Sequence, residues 1–152
     1  MTHQPAGFDL QPVLQGTQLV LRPLIEADRP GLTEAASDPE IWAGHPARER
    51  WRPEVFGPYF TMLLGTRSAL AVTEAEGGRI IGTSRFYFTA DAPGEPCVGF
   101  TFLTRDHWGG GTNFQLKCLM FGHAFRQAEG VWLHIDEDNI RSQTAAGRLG
   151  AV

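Results

Sequence analysis

The junction between a strand-like run, Cys97 to Thr104, and a helical segment that begins near Asn113 is where residue types and spacing suggest chemistry. The two are joined by Arg105-Asp106-His107-Trp108 and the triple glycine Gly109-Gly110-Gly111. Glycines ahead of a helix let backbone N–H groups turn toward an anion beside the positive end of the helix dipole, as a phosphate or pyrophosphate site requires. The spacing excludes two nucleotide sites. No Gly-Lys-Ser/Thr follows after four intervening residues, and Phe114 stands where the third glycine of Gly-x-Gly-x-x-Gly would fall. On the glycines alone, an anion cradle and a plain flexible turn both stay open. His107 reads as a turn residue and His123 as a polar group on the following helix. Neither joins a Ser/His/Asp or metal-ligand pattern, and Cys97 and Cys118 have no partner cysteines at metal-like spacing, so no metal site is expected.

The surrounding periodicity predicts the elements that would position this turn. Residues 1–16, with Pro5, Gly7 and Pro12, read as a flexible leader, and one domain is expected over 17–152. A strand is predicted from Thr17 to Leu24, then a helix over Glu26 to Ser37 with Asp28 as cap, broken at Asp38-Pro39-Glu40. A second helix covers Glu54 to Leu64. Strands Ser68 to Glu74 and Arg79 to Phe88 flank the hairpin signal Gly77-Gly78, and Cys97 to Thr104 makes a third. Asn113 to Gln127 carries a broad apolar stripe of Leu116, Leu119, Met120 and Ala124 with Phe114, Cys118, Phe121 and Phe125 beside it. A strand over Val131 to Asp136 and a helix over Asn139 to Leu149, closed by Gly150, complete a mixed α/β (α+β) domain.

The chain has 152 residues and 42% hydrophobic residues, enough for one core and too few for two ordinary domains. A formal charge of −4 argues against nucleic acid bound by bulk charge. No window approaches a membrane span, and Met1 to Gln11 lacks the pattern of a signal peptide, so a cytoplasmic protein with two reduced thiols is expected.

Five separated motifs resemble the GNAT superfamily of acetyl-CoA-dependent N-acetyltransferases, in its ribosomal-protein N-acetyltransferase-like branch. Leu19-Val20-Leu21-Arg22-Pro23-Leu24 with Asp28 is similar to the branch's first strand, and Asp38-Pro39-Glu40-Ile41-Trp42 to the turn between its first two helices. Ile80-Ile81-Gly82-Thr83 resembles its third strand. Trp108-Gly109-Gly110-Gly111-Thr112-Asn113 falls on the signature Gln/Arg-x-x-Gly-x-Gly/Ala, while Asn139-Ile140-Arg141-Ser142 and Leu149-Gly150 resemble the ends of the fourth helix. Trp108 and Asn113 depart from the signature. The family continues past Leu-Gly with two further strands, and the chain stops at Val152; their lack would leave a sheet edge open to a second copy, hence to a homodimer.

The resemblance implies acetyl transfer from acetyl-CoA directly to a primary amine, either a protein N-terminus or a small molecule. It implies that Phe102, Leu103 and Thr104 carry the pantetheine arm by backbone bonds, and that backbone N–H groups of Gly109 to Asn113 hold the pyrophosphate. Asn139 would contact the cofactor arm and Ser142 would lie near the thiol sulfur, or serve as a helix cap. The base is open among Glu95, Glu74, Asp136, a water relay and a spontaneously neutral amine. Arg48, Arg50 and Arg52, with Trp42 and Trp51, are either a solvated loop or part of the acceptor side. Two rival readings are a non-catalytic acyl-CoA-binding module and a truncated, inactive GNAT fragment.

Overall fold

The computed structural model describes residues 7–135 and 139–151. Five strands form one sheet in the order β1 (Leu14–Gln15), β2 (Leu19–Pro23), β3 (Ala69–Glu74), β4 (Ile80–Tyr87), β5 (Cys97–Leu103), with every neighbouring pair antiparallel. The helices are α1 (Arg29–Ala35), α2 (Pro39–Trp42), α3 (Pro53–Gly65), α4 (Thr112–Ala124) and α5 (Ile140–Arg148). This is the mixed α/β arrangement expected from the periodicity.

β3 shows why helices cover both faces. Its side chains alternate, and both sets are buried: Leu70 and Val72 join Leu21, Ile81, Phe86, Leu116 and Met120 under α4. Ala69 and Ala71 face the other way, where their small size admits Leu32, Trp42, Phe56, Phe60 and Leu63 of α1 to α3. Between β4 and β5 the contact is closer still. A Cβ on Gly82 would collide with the Phe102 carbonyl, so only glycine lets the two backbones meet at this register.

Four sequence expectations need correction. The leader is packed over much of its described part: Phe8 is buried edge-on against Phe86, Phe88 and His123 at 5.3–5.5 Å, Gln11 Nε2 donates to the Ala69 carbonyl, and β1 pairs with β2. Single apolar residues without a period supply those contacts, so no pattern announces them. Asp28 does not cap α1 with its side chain; its buried carboxylate takes both ends of the Arg22 guanidinium at 2.9 and 2.8 Å and the Ile25 N–H at 2.9 Å. The α4 stripe is narrower than predicted, since Phe114, Cys118 and Phe125 are exposed while Lys117 is buried.

The fourth correction shapes the site. Val131 to Ile135 is not a full strand but a single parallel bridge, Cys97 to Trp132, with Val98 N–H donating to the Trp132 carbonyl and Trp132 N–H to that of Pro96. Beyond it the two segments part. Phe100 takes a left-handed φ of 55°, beside an irregularity in the β4–β5 register, and this bend interrupts the extended path of β5 at the divergence.

Candidate active site

The parting of β5 from residues 133–135 opens a cleft of about 740 Å³. Gly99 to Leu103 form one wall; Leu133, His134 and Ile135, then Asn139, Ser142, Ala145 and Leu149, form the other. Gly109, Gly111 and Asn113 line it at the start of α4, and Trp42, His45, Arg50 and Tyr59 line it from α2, α3 and their connection.

The glycine turn is held from both sides. Trp108 Nε1 donates to the Leu103 carbonyl at 3.0 Å, and His107 is bracketed by Glu74 Oε2 at 3.1 Å and Thr112 Oγ1 at 3.0 Å. Gly109 and Gly111 have φ of 75° and 86°, a region that L side chains rarely adopt. Gly111 is the N-cap of α4 and has no side chain to bond the first-turn N–H groups, and an added Cβ at Gly109, Gly110 or Gly111 would meet open space. Those N–H groups, at the positive end of a 13-residue helix, can receive an anion.

Of the residues singled out in the sequence, Phe102, Leu103, Trp108, Gly109, Gly111, Asn113, Asn139 and Ser142 line the cleft together. Thr104, Gly110 and Thr112 flank them in the chain. Asn139 is the N-cap of α5, its Oδ1 accepting the Ser142 N–H at 3.2 Å, so Asn139 does the capping and Ser142 is freed from that duty. Glu95 is not brought to the cleft; its carboxylate accepts the Trp132 indole N–H at 3.3 Å. Glu74 is engaged by Arg79 and His107, and Asp136 lies outside the described residues. Among the described residues that line the cleft there is no carboxylate at all.

Sequence reading missed two cleft cations or their settings, and a third cation beside the cleft. Lys117, the only lysine in the chain, is buried beneath the cleft with Nζ at 3.3 Å from Thr101 Oγ1 and 3.4 Å from Asn113 Oδ1, and burial pushes its pKa down to about 8. A polar residue between Leu116 and Cys118 was the signal. The Arg48, Arg50, Arg52 group divides: Arg48 is exposed and Arg52 pairs with Glu49 at 2.6 Å, while Arg50 stacks 3.7 Å over Tyr59 and 5.2 Å over Trp42 inside the cleft. Arg85 of β4 stacks 4.8 Å over Phe100 and 5.3 Å over Tyr87, both cleft residues, and no local pattern marked it.

No group of three or more His, Cys, Asp or Glu among the described residues could hold a metal ion, and no helix among them is long and apolar enough to cross a membrane.

The acetyltransferase (GNAT) domain model matches residues 18–152. No curated protein matches the chain. The fold is similar to that of a GCN5-related N-acetyltransferase from Brucella melitensis, with a TM-score of 0.81 at 16% identity, covering 99% of this chain and 71% of that one. A T. thermophilus protein provisionally described as an acetyltransferase is 27% identical, with a TM-score of 0.72 over 92% of this chain and 75% of its own. Ribosomal-protein-S5-alanine acetyltransferase from Vibrio fischeri aligns with a TM-score of 0.66 at 14% identity, over 91% and 82%.

Proposed function

The chain belongs to the acetyltransferase (GNAT) family, whose members move an acyl group from acyl-CoA to an acceptor, and from that premise we propose that it transfers the acetyl group of acetyl-CoA directly to a primary amine. One observation carries this reading: the cleft between β5 and residues 133–135 runs to an uncapped, glycine-led helix N-terminus. The pyrophosphate is received by N–H groups of Gly109 to Asn113. The pantetheine arm follows Phe102, Leu103 and Thr104 along the wall that 133–135 leave unpaired, with Asn139 on the opposite side.

The amine lone pair attacks the thioester carbonyl carbon, the C–S bond breaks, and the proton that the attacking nitrogen sheds reaches the thiolate, giving an amide and the CoA thiol. Ser142, on the α5 wall with its hydroxyl not needed for capping, is the donor we assign to the sulfur. No carboxylate among the described lining residues competes for the role of base, which suits an amine whose pKa near 8 leaves a share of it neutral at physiological pH. The same observation favours one rival reading, an acyl-CoA-binding module without turnover.

Thermal unfolding of the 152-residue chain with and without acetyl-CoA tests the site. At a hundredfold excess over Kd, binding to the folded state alone adds about 2.7 kcal/mol and raises the midpoint. Gly111→Val, which forces a branched side chain into a left-handed backbone, should abolish that rise. No rise in a cooperatively folded sample sinks the proposal, and a rise with no CoA thiol released against an amine panel leaves the binding module.

A further inference from the structure

Four arginines in the described chain are half-buried: Arg22, Arg29, Arg50 and Arg85. Arg22 is bidentate with Asp28, and Arg29 with Glu26. Arg50 and Arg85 pair with no carboxylate among the described residues, although exposed arginines such as Arg52, Arg79 and Arg105 do. This reverses the usual order, because the charge that has lost water is the one that most needs a partner. Net composition does not explain it either, as the chain has 17 acidic residues against 13 basic.

The two cations share surroundings. Both act electrostatically on Tyr59, and burial pushes both guanidiniums below their usual value without neutralising them. Each is stacked on rings, Arg50 on Tyr59 and Trp42, Arg85 on Phe100 and Tyr87, so their faces are fixed. Among the described residues their edges are not filled by a carboxylate. Arg85 spends Nε on Ser68 Oγ at 2.9 Å, leaving its terminal nitrogens, and Arg50 has no side-chain hydrogen bond among the described residues. A stacked guanidinium with a free edge presents the planar fork that carboxylates and phosphates match. Tyr59 and Trp42 belong with the core under α1 to α3, on the sheet face opposite α4, so this pair is separate from the glycine turn that takes the cofactor's pyrophosphate.

Resting on the acetyltransferase reading above, the geometry points to an acceptor amine that carries an anionic group, a carboxylate or phosphate, seated on the free edges of Arg50 and Arg85.

Matched acceptors test it: amino acids against their primary amides, and phosphoethanolamine against ethanolamine, each with acetyl-CoA, read as kcat/KM from CoA thiol release. The anionic member of a pair should be favoured at least about tenfold, and the pair that responds distinguishes carboxylate from phosphate. In Arg50→Gln and Arg85→Gln that ratio should fall toward one through KM, with Arg85→Lys restoring part of it. Equal or better use of the neutral amines overturns the proposal, as does a preference for succinyl-CoA over acetyl-CoA with neutral amines, which would put the anion on the acyl group. If no amine turns over, calorimetric titration of an N-acetyl amino acid and its N-acetyl amide into the CoA-loaded chain decides, equal affinity being the overturning result. Thermal stabilisation by acetyl-CoA is measured alongside, so loss of the cofactor reading is seen separately from loss of the acceptor reading.

Discussion

The joint between β2 and α1 and the cleft beside β5 treat a half-buried cation in opposite ways. At the joint, Asp28 answers Arg22 through two short bonds and still has an oxygen for the Ile25 N–H; burial raises that carboxyl, but Arg22 and the N–H outweigh it and hold its pKa below the usual range. In the cleft lining, Lys117 and Arg50 sit among aromatics and hydroxyls, and Arg85 lies beside it against the rings of Phe100 and Tyr87, with no carboxylate in the described lining. Among the described residues, charge is neutralised at the scaffold joint and left without a carboxylate partner in the cleft.

This contrast fixes an order of effects. Asp28→Ala leaves the Arg22 guanidinium without its carboxylate, keeping a 3.3 Å bond to the Pro23 carbonyl, and the Ile25 N–H without its acceptor in a largely buried place; since Arg22 is a third exposed, the loss should be about 3 kcal/mol, read as a lower urea midpoint at constant slope. Lys117→Met should act in the other direction, stabilising the chain by about 2 kcal/mol at pH 7, because it removes a desolvated charge that two long bonds hold among the described residues. The sign follows from proton counts: between about pH 8 and 10.5 the unfolded chain keeps the Lys117 proton and the folded chain has released it. Parent stability therefore gains with rising pH from this group, and the advantage of the methionine variant should shrink across that window and vanish above it. Urea titrations of both proteins at pH 7, 9 and 10.5 check it, and a constant difference would break the comparison. Arg85→Gln should shift stability least, within about 1 kcal/mol, since it gives up ring stacking and gains relief from desolvation. A loss as large as that of Asp28→Ala would mean that Arg85 is a scaffold cation after all.

Much of the frame was legible because its causes are local. The small and β-branched run of Ser68 to Glu74, the glycines at 77 and 78 and the glycine turn before α4 each declare a backbone conformation within a few residues. The resemblance added the order of motifs, and with it the membership and the cleft residues from Phe102 to Ser142. Three features were not legible. An apolar run from Val131 looks the same whether it pairs along its length or through one bridge, and Phe100, whose left-handed turn accompanies that outcome, carries no sequence mark. Phe8, Leu10 and Leu14 lack a period yet complete the core under α4. Glu95, chosen for its place along the chain, faces Trp132 instead of the cleft.

The sequence by itself determined most of the elements, the glycine turn at Gly109 to Gly111 and the excess of acid over base, all consequences of short-range stereochemistry and composition. Tertiary structure alone decided which charges lost their water and which found a partner. Arg50 and Arg85 are 35 residues apart and meet the same tyrosine only once α3 lies across the sheet, and burial, the cause of their unmet demand, is a property of that packing and of no segment by itself.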